Sequence, residues 1–139
     1  TKKKDRSLRF VVVKEITGFL NTGDGVILIG VSDDQQITGI EVDGFDGNTD
    51  KFSRSINDFL VECCGVTAAS FVTIKFEKLE GKSICRIEVQ KSKTPITCKF
   101  NNKEEPFVRY GSSTKSPPPS EWDRWRLAHF PGFQFINQK

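Results

Sequence analysis

The feature that most constrains this sequence is an uncharged apolar run, Val26 to Val31, enclosed by turn-forming residues. The turn Gly23-Asp24-Gly25 precedes the run, and the polar segment 32–36 follows it. A short apolar run between turn signals is typical of a strand buried on both faces. A further strand is predicted over Ile37 to Val42. We therefore expect a central strand with tight loops at both ends, which can hold side chains on a rigid frame.

Length and composition indicate one domain over residues 1–139 with a core that needs no disulfide or metal. Hydrophobic residues make up 36% and charged residues 28%, an ordinary profile for a soluble protein. No apolar run approaches the ~20 residues of a membrane span, and no signal peptide is visible. We expect an intracellular protein, cytoplasmic or nuclear, without a membrane partner. Because the chain lacks Met and begins with a lysine run, we expect a fragment of a longer protein.

The cysteine pattern argues against a structural zinc site. There are four cysteines and one histidine, and no C-x-x-C pair occurs. Cys63 ends a helical pattern and Cys85 lies in a strand pattern, so we expect buried free thiols. Free thiols suit a reducing compartment.

Apolar periodicity predicts two long helices. The first runs from Leu8 to Leu20, with Asp5 or Ser7 as N-cap, on a stripe of Leu8, Val11, Val12, Ile16, Phe19 and Leu20. The second begins at Asn48 or Thr49, and its inward face comprises Phe52, Ile56, Phe59, Leu60 and Cys63.

Short alternating segments predict the strands. Segments 71–79 and 82–89 are expected to form a hairpin at Glu80-Gly81. Further extended segments are 96–100 and 107–110, separated by a polar loop over 101–105. Three prolines and a short helix over 121–129, capped by Ser120, follow. This order predicts an α+β fold with a mixed, mostly antiparallel sheet, two packing helices and a short C-terminal helix.

Two blocks of the sequence carry recognisable motifs. Residues 14–40 read KEITGFLNTGDGVILIGVSDDQQITGI, and residues 106–114 read PFVRYGSST after an earlier Pro95. Both blocks, in this order, resemble the AlbA-type domain of the Schlafen family, and the resemblance covers about Lys14 to Trp125. Family members also carry an E-F-K strand before the first helix, whereas this chain has TKKKDRSLRF there, with no glutamate before Glu15.

The resemblance implies a nucleic-acid-binding domain and, in some relatives, an endoribonuclease whose acidic residues hold a divalent metal. Asp33 falls on the family's acidic position. If other carboxylates complete the site, Asp33 would be a catalytic residue and a ligand for Mg²⁺ or Mn²⁺. The alternative is an aspartate that serves only the turn. Asp34 is adjacent and would point away in an extended segment. We therefore expect that the chain does not cleave RNA by itself.

A basic set on the later strands is the candidate nucleic-acid surface. Arg109 lies mid-strand, and Tyr110 shares the opposite face with Val108. Cationic side chains contact phosphates and an aromatic ring stacks on a base. The alternative is a solvated charged face of the sheet. The predicted nucleic-acid contacts are Arg109, Tyr110, Lys91, Lys93, Lys99 and Lys115.

Other motifs favour structural roles. The Gly23-Asp24-Gly25 turn lacks the lysine and spacing of a P-loop, so a helix-to-strand turn is expected. Trp122 and Trp125 lie three apart on a helix, which is more typical of a core or interface than of a base-stacking surface.

The sequence thus predicts a module that binds the DNA or RNA backbone with low sequence specificity. The alternative is one lobe or subunit of a metal-dependent Schlafen-type endoribonuclease, completed by upstream residues or a partner chain. A scaffold or dimerisation domain is the third reading. We expect a homodimer, or a heterodimer with a homologous domain, because the resemblance implies a two-lobed groove. The apolar tail residues Phe133, Phe135 and Ile136 favour such pairing.

Overall fold

The computed structural model describes residues 2–31, 36 and 49–133, and the predicted strand at 37–42 lies outside them. The described helices are α1 (Lys2–Leu20), α2 (Thr49–Cys64), α3 (Val66–Ala69) and α4 (Pro119–His129). The described strands are β1 (Gly25–Ile29), β2 (Val72–Leu79), β3 (Lys82–Val89), β4 (Thr97–Phe100), β5 (Lys103–Pro106), β6 (Val108–Tyr110) and β7 (Ser113–Lys115). Every described strand pair is antiparallel, and the α+β prediction is confirmed.

The predicted hairpin at Glu80-Gly81 is confirmed. Leu79 and Lys82 are the closing pair of β2 and β3, so the loop has two residues. Both loop residues have positive φ, 52° and 76°, which a type I′ turn requires. A turn of this hand matches the twist of the two strands, so it fixes the register of the hairpin.

The apolar run forms β1, but its predicted burial on both faces is wrong. Its predicted central place stays a prediction, because the neighbouring strand expected at 37–42 lies outside the described residues. The order of the three-stranded sheet is β1-β3-β2, with β3 in the middle. Ile27 and Ile29 pack against the core, whereas Val26 and Leu28 are 44% and 46% exposed. Period-2 alternation therefore places every second apolar residue of this run on a partly open face.

The core lies between the sheet and the two long helices. The predicted inward face of α2 is confirmed, since all five of its residues are buried. On α1, Val13, Ile16 and Leu20 are buried, whereas Val11 of the predicted stripe is exposed. The helix also begins at Lys2, before both predicted caps, because Lys and Arg sustain a helix well.

Two small hairpins and α4 complete the described part of the chain. The predicted loop over 101–105 is shorter than expected: only Asn101 and Asn102 turn, with φ of 53° and 63°, and β5 begins at Lys103. Asn tolerates the left-handed region better than other residues with a side chain, which allows this tight turn. α4 begins at Pro119, with Pro118 rather than Ser120 as its N-cap. Among the described residues, none of the helices has the length and apolar character that a bilayer span requires.

Candidate nucleic-acid interface

The β6–β7 hairpin carries the candidate site. Its register pairs Val108 with Lys115, Arg109 with Thr114 and Tyr110 with Ser113. Residues directly opposite each other in an antiparallel pair share a face. Arg109 and Thr114 therefore lie on one face, which we call the inner face. The outer face carries Val108, Tyr110, Ser113 and Lys115.

The inner face is fixed to α1 through one carboxylate. Nη1 of Arg109 forms a short ion pair with Oε2 of Glu15 and lies 3.2 Å from Oγ1 of Thr114. The Thr114 hydroxyl donates to the same Glu15 oxygen at 2.6 Å. The Arg109 and Glu15 side chains are only 25% and 31% exposed, so solvent screens the pair less than a surface pair.

Phe19 and two glycines let α1 approach the strands closely. The Arg109 guanidinium carbon lies 4.8 Å from the centre of the Phe19 ring. A Cβ on Gly25 would come within 2.2 Å of that ring, and one on Gly18 would lie 3.0 Å from the Thr114 methyl group. Real Cβ atoms essentially never approach as closely as the Gly25 contact, and the Gly18 contact is tighter than nine in ten real ones, so both motif glycines favour this close packing.

Asn21, which sequence analysis did not single out, is the central polar residue of the arrangement. Its side chain is fully buried; Nδ2 donates to the carbonyls of Ile96 and Phe107, and Oδ1 accepts from the Ile96 N–H, all at 2.8 Å. The Trp125 indole donates to the Asn21 carbonyl at 2.9 Å. The signal that could have found Asn21 is its place in the first motif block, where Phe19-Leu20-Asn21-Thr22 ends the helical pattern. The next motif residue, Thr22, accepts the backbone N–H of Arg109 at 2.9 Å.

The expected turn at Gly23-Asp24-Gly25 is confirmed. The Gly23 N–H donates to the Phe19 carbonyl at 2.9 Å and ends the helical pattern of α1. The Asp24 carboxylate accepts the backbone N–H of Lys91 at 2.8 Å. This turn therefore joins α1 to β1 and also holds the segment that follows β3.

On the outer face, burial decreases steeply toward the tip of the hairpin. Val108 is buried, whereas Tyr110 is 61% exposed although it shares that face. Lys115, opposite Val108, is exposed. The same face therefore carries an exposed aromatic ring and an exposed ammonium group.

The remaining predicted lysines differ in their surroundings. Nζ of Lys91 donates to the His129 carbonyl at 2.7 Å and lies 4.0 Å from the centre of the Phe130 ring. Lys93 and Lys99 are exposed, and Lys99 lies opposite Glu104 across β4 and β5. An acidic neighbour lowers the local positive potential at Lys99.

Asp33 and Asp34 lie outside the described residues, so the role of Asp33 as a metal ligand stays a prediction. Within residues 2–31, 36 and 49–133, no three His, Cys, Asp or Glu side chains are grouped to hold a metal ion. The tail residues Phe135 and Ile136 also lie outside the described part.

The expectation that the tryptophans belong to the core or to an interface agrees with their positions. Trp122 is buried, and Trp125 stacks on His129 with ring centres 3.8 Å apart. Together with the Trp125 bond to Asn21, these contacts hold α4 against the end of α1.

Comparison with known families settles what the two motif blocks belong to. The family model described as Schlafen, AlbA_2 matches residues 1–118. The chain belongs to the Schlafen AlbA_2 family. The match ends before α4 begins. In this Schlafen AlbA_2 domain, α4 lies outside the matched span but contacts it through the hydrogen bond from Trp125 to Asn21.

A solved structure has a similar fold. The DIP2311 protein from Corynebacterium diphtheriae matches with a TM-score of 0.63 and 17% identity. The match covers 89% of this Schlafen AlbA_2 chain and 20% of that chain, so this chain spans about a fifth of the length of DIP2311. No curated protein matches the chain.

Proposed function

We propose that this domain binds DNA or RNA through the outer face of the β6–β7 hairpin, without marked sequence preference. The observation that carries the proposal is that Tyr110, which is 61% exposed, and the exposed Lys115 lie on the same face of the hairpin. Membership of the Schlafen AlbA_2 family is consistent with this role. The net charge of +3 also favours a polyanionic partner.

Each of the two side chains supplies one part of nucleic-acid recognition. An exposed ring stacks on any base, because every base has a π-face, and each stacked base contributes about 1–3 kcal/mol. An ammonium group that neutralises a phosphate releases counterions and makes binding depend on salt. Neither contact reads a base edge, so the proposal predicts low sequence specificity.

Arg109 takes a positioning role in the proposal. Its Nη1 already binds Glu15 and Thr114, and its backbone N–H binds Thr22. These contacts lie on the inner face and hold the hairpin against α1. We expect Arg109→Ala to weaken binding by about 1–3 kcal/mol, because the hairpin loses its anchor. Lys103→Ala is expected to change binding less, because Lys103 is exposed and pairs with Glu105 at 3.8 Å.

Fluorescence anisotropy with labelled single-stranded RNA and DNA of one sequence tests the proposal. Affinity is expected to fall with salt, with a log–log slope of about −0.7 per neutralised phosphate. Tyr110→Leu should weaken binding about 5- to 150-fold, the equivalent of one lost stack, whereas Tyr110→Phe should retain it. Lys115→Ala should weaken binding and reduce the salt slope.

Lys78→Ala is the charge-matched control. Lys78 is exposed on β2, in the three-stranded sheet rather than in the β6–β7 hairpin. Equal losses for Lys115→Ala and Lys78→Ala would show that only net charge matters and would refute the site. Affinity that stays flat between low and physiological salt would refute nucleic-acid binding through phosphates.

A further inference from the structure

Three of the four cysteines meet where the end of α2 packs on β4. Cys63 and Cys64 are the last two residues of α2, and Cys98 lies in β4. Cys63 and Cys98 are buried, whereas Cys64 is half-buried. All four cysteines are free thiols, as the sequence predicted.

Cys64 is held between a hydroxyl and a second thiol. Its sulfur lies 3.3 Å from Oγ1 of Thr17 on α1. The Cys98 side chain is a second hydrogen-bond partner of Cys64. The hydrogen bond from Cys98 lowers the pKa of Cys64, and the same bond, together with burial, raises the pKa of Cys98. Cys64 is therefore the more acidic thiol of the pair, and Cys98 is the thiol that donates to it.

We propose that Cys64 and Cys98 are a redox-sensitive pair that closes to a disulfide when the domain meets hydrogen peroxide. Cys64 is the attacking group because it is the more accessible of the two. Cys98 is the resolving thiol because it lies against Cys64 and is sheltered from the oxidant.

Hydrogen peroxide supplies the two-electron oxidant that disulfide formation requires. The Cys64 thiolate attacks one peroxide oxygen; an S–O bond forms, the O–O bond breaks, and the departing hydroxide takes up a proton to leave as water. The Cys98 sulfur then attacks the sulfenic sulfur of Cys64. The S–S bond forms, the S–O bond breaks, and the Cys98 proton leaves with the hydroxide as a second water. Each sulfur loses one electron, and the peroxide takes up both.

The other two cysteines are less suited to the reaction. Cys85 lies in the core on β3, where burial raises its pKa to about 12, so it is not a thiolate near neutral pH. Cys63 is buried and adjacent to Cys64 on the same helix, where a bridge between neighbours would distort the backbone. Cys63 also lies near Cys98, which makes it the competitor that the test must distinguish.

The test treats the purified, reduced domain with hydrogen peroxide and then blocks the remaining thiols in denaturant. Mass spectrometry is expected to show the loss of half of the free thiols, and peptide mapping should join the peptides of Cys64 and Cys98. Cys85→Ser is the matched control and should leave this disulfide unchanged. Cys98→Ser should leave a sulfenic acid on Cys64 that dimedone traps, and Cys64→Ser should remove both products.

Four thiols that survive excess peroxide, or a bridge that joins another pair, would overturn the proposal. The peptide map of the unmodified chain gives this answer even if the Cys98→Ser variant does not fold. No readout uses nucleic acid, so the result is independent of the proposed binding function.

Discussion

Replacing Asn21 is the sharpest test of how the two motif blocks are joined. Asn21→Ala removes the partners of three main-chain groups: the N–H and carbonyl of Ile96 and the carbonyl of Phe107. Both of these residues are buried, so the groups lose their hydrogen bonds in a region that water does not reach. An unsatisfied buried group costs about 1–3 kcal/mol, so the three together set a minimum loss of about 3 kcal/mol.

That loss is large for a domain of this size. Folded domains have unfolding free energies of about 5–15 kcal/mol, so Asn21→Ala is expected to remove a fifth of the stability or more. Urea denaturation followed by tryptophan fluorescence measures it. With a slope of about 1–3 kcal/mol per molar urea, the midpoint should fall by about 1–3 M.

Two further variants separate the hydrogen bonds from other effects. Asn21→Asp keeps the shape and the acceptor for Ile96 but sets a negative charge against two carbonyl oxygens, so it should destabilise the domain at neutral pH at least as much. Asn57→Ala, in the half-buried part of α2, should stay within about 0.5 kcal/mol of the unmodified chain. The reasoning is refuted if Asn21→Ala behaves like Asn57→Ala.

Four further predictions concern the anchor, a motif glycine, assembly and catalysis. A double-mutant cycle of Arg109→Ala and Glu15→Ala should give a coupling energy of about 1 kcal/mol in urea denaturation, and additive losses would show that the pair is not coupled. Gly18→Ala should destabilise the domain despite the better helix propensity of Ala, because its Cβ would press on the Thr114 methyl group; a raised midpoint would contradict this. Sedimentation at micromolar concentration should show a species heavier than 15.7 kDa, and a clean monomer that binds no homologous domain would rule pairing out. Incubation with structured and single-stranded RNA in Mn²⁺ should give no cleavage, and cleavage that Asp33→Ala abolishes would show a complete active site in this chain.

The sequence by itself determined the family and those local elements that have a clear periodic pattern. The inward face of α2 follows from the 3.6-residue period, and the hairpin at Glu80-Gly81 follows from alternation on both sides of a turn signal. Both patterns are local, because each depends on residues that are neighbours along one helix or one hairpin. The two motif blocks were also sufficient to indicate the Schlafen AlbA_2 family, which the match over residues 1–118 confirms.

Tertiary structure decided which motif residues meet and therefore what each one does. Arg109 was a candidate phosphate contact by its sequence, but it pairs with Glu15, 94 positions away. Asn21 reaches Phe107 across 86 positions. Neither pairing leaves a periodic signal, because it depends on how α1 packs against the hairpins. The outer face of β6 shows the same limit: alternation places Val108 and Tyr110 together, but only the edge of the packed core makes one buried and the other exposed.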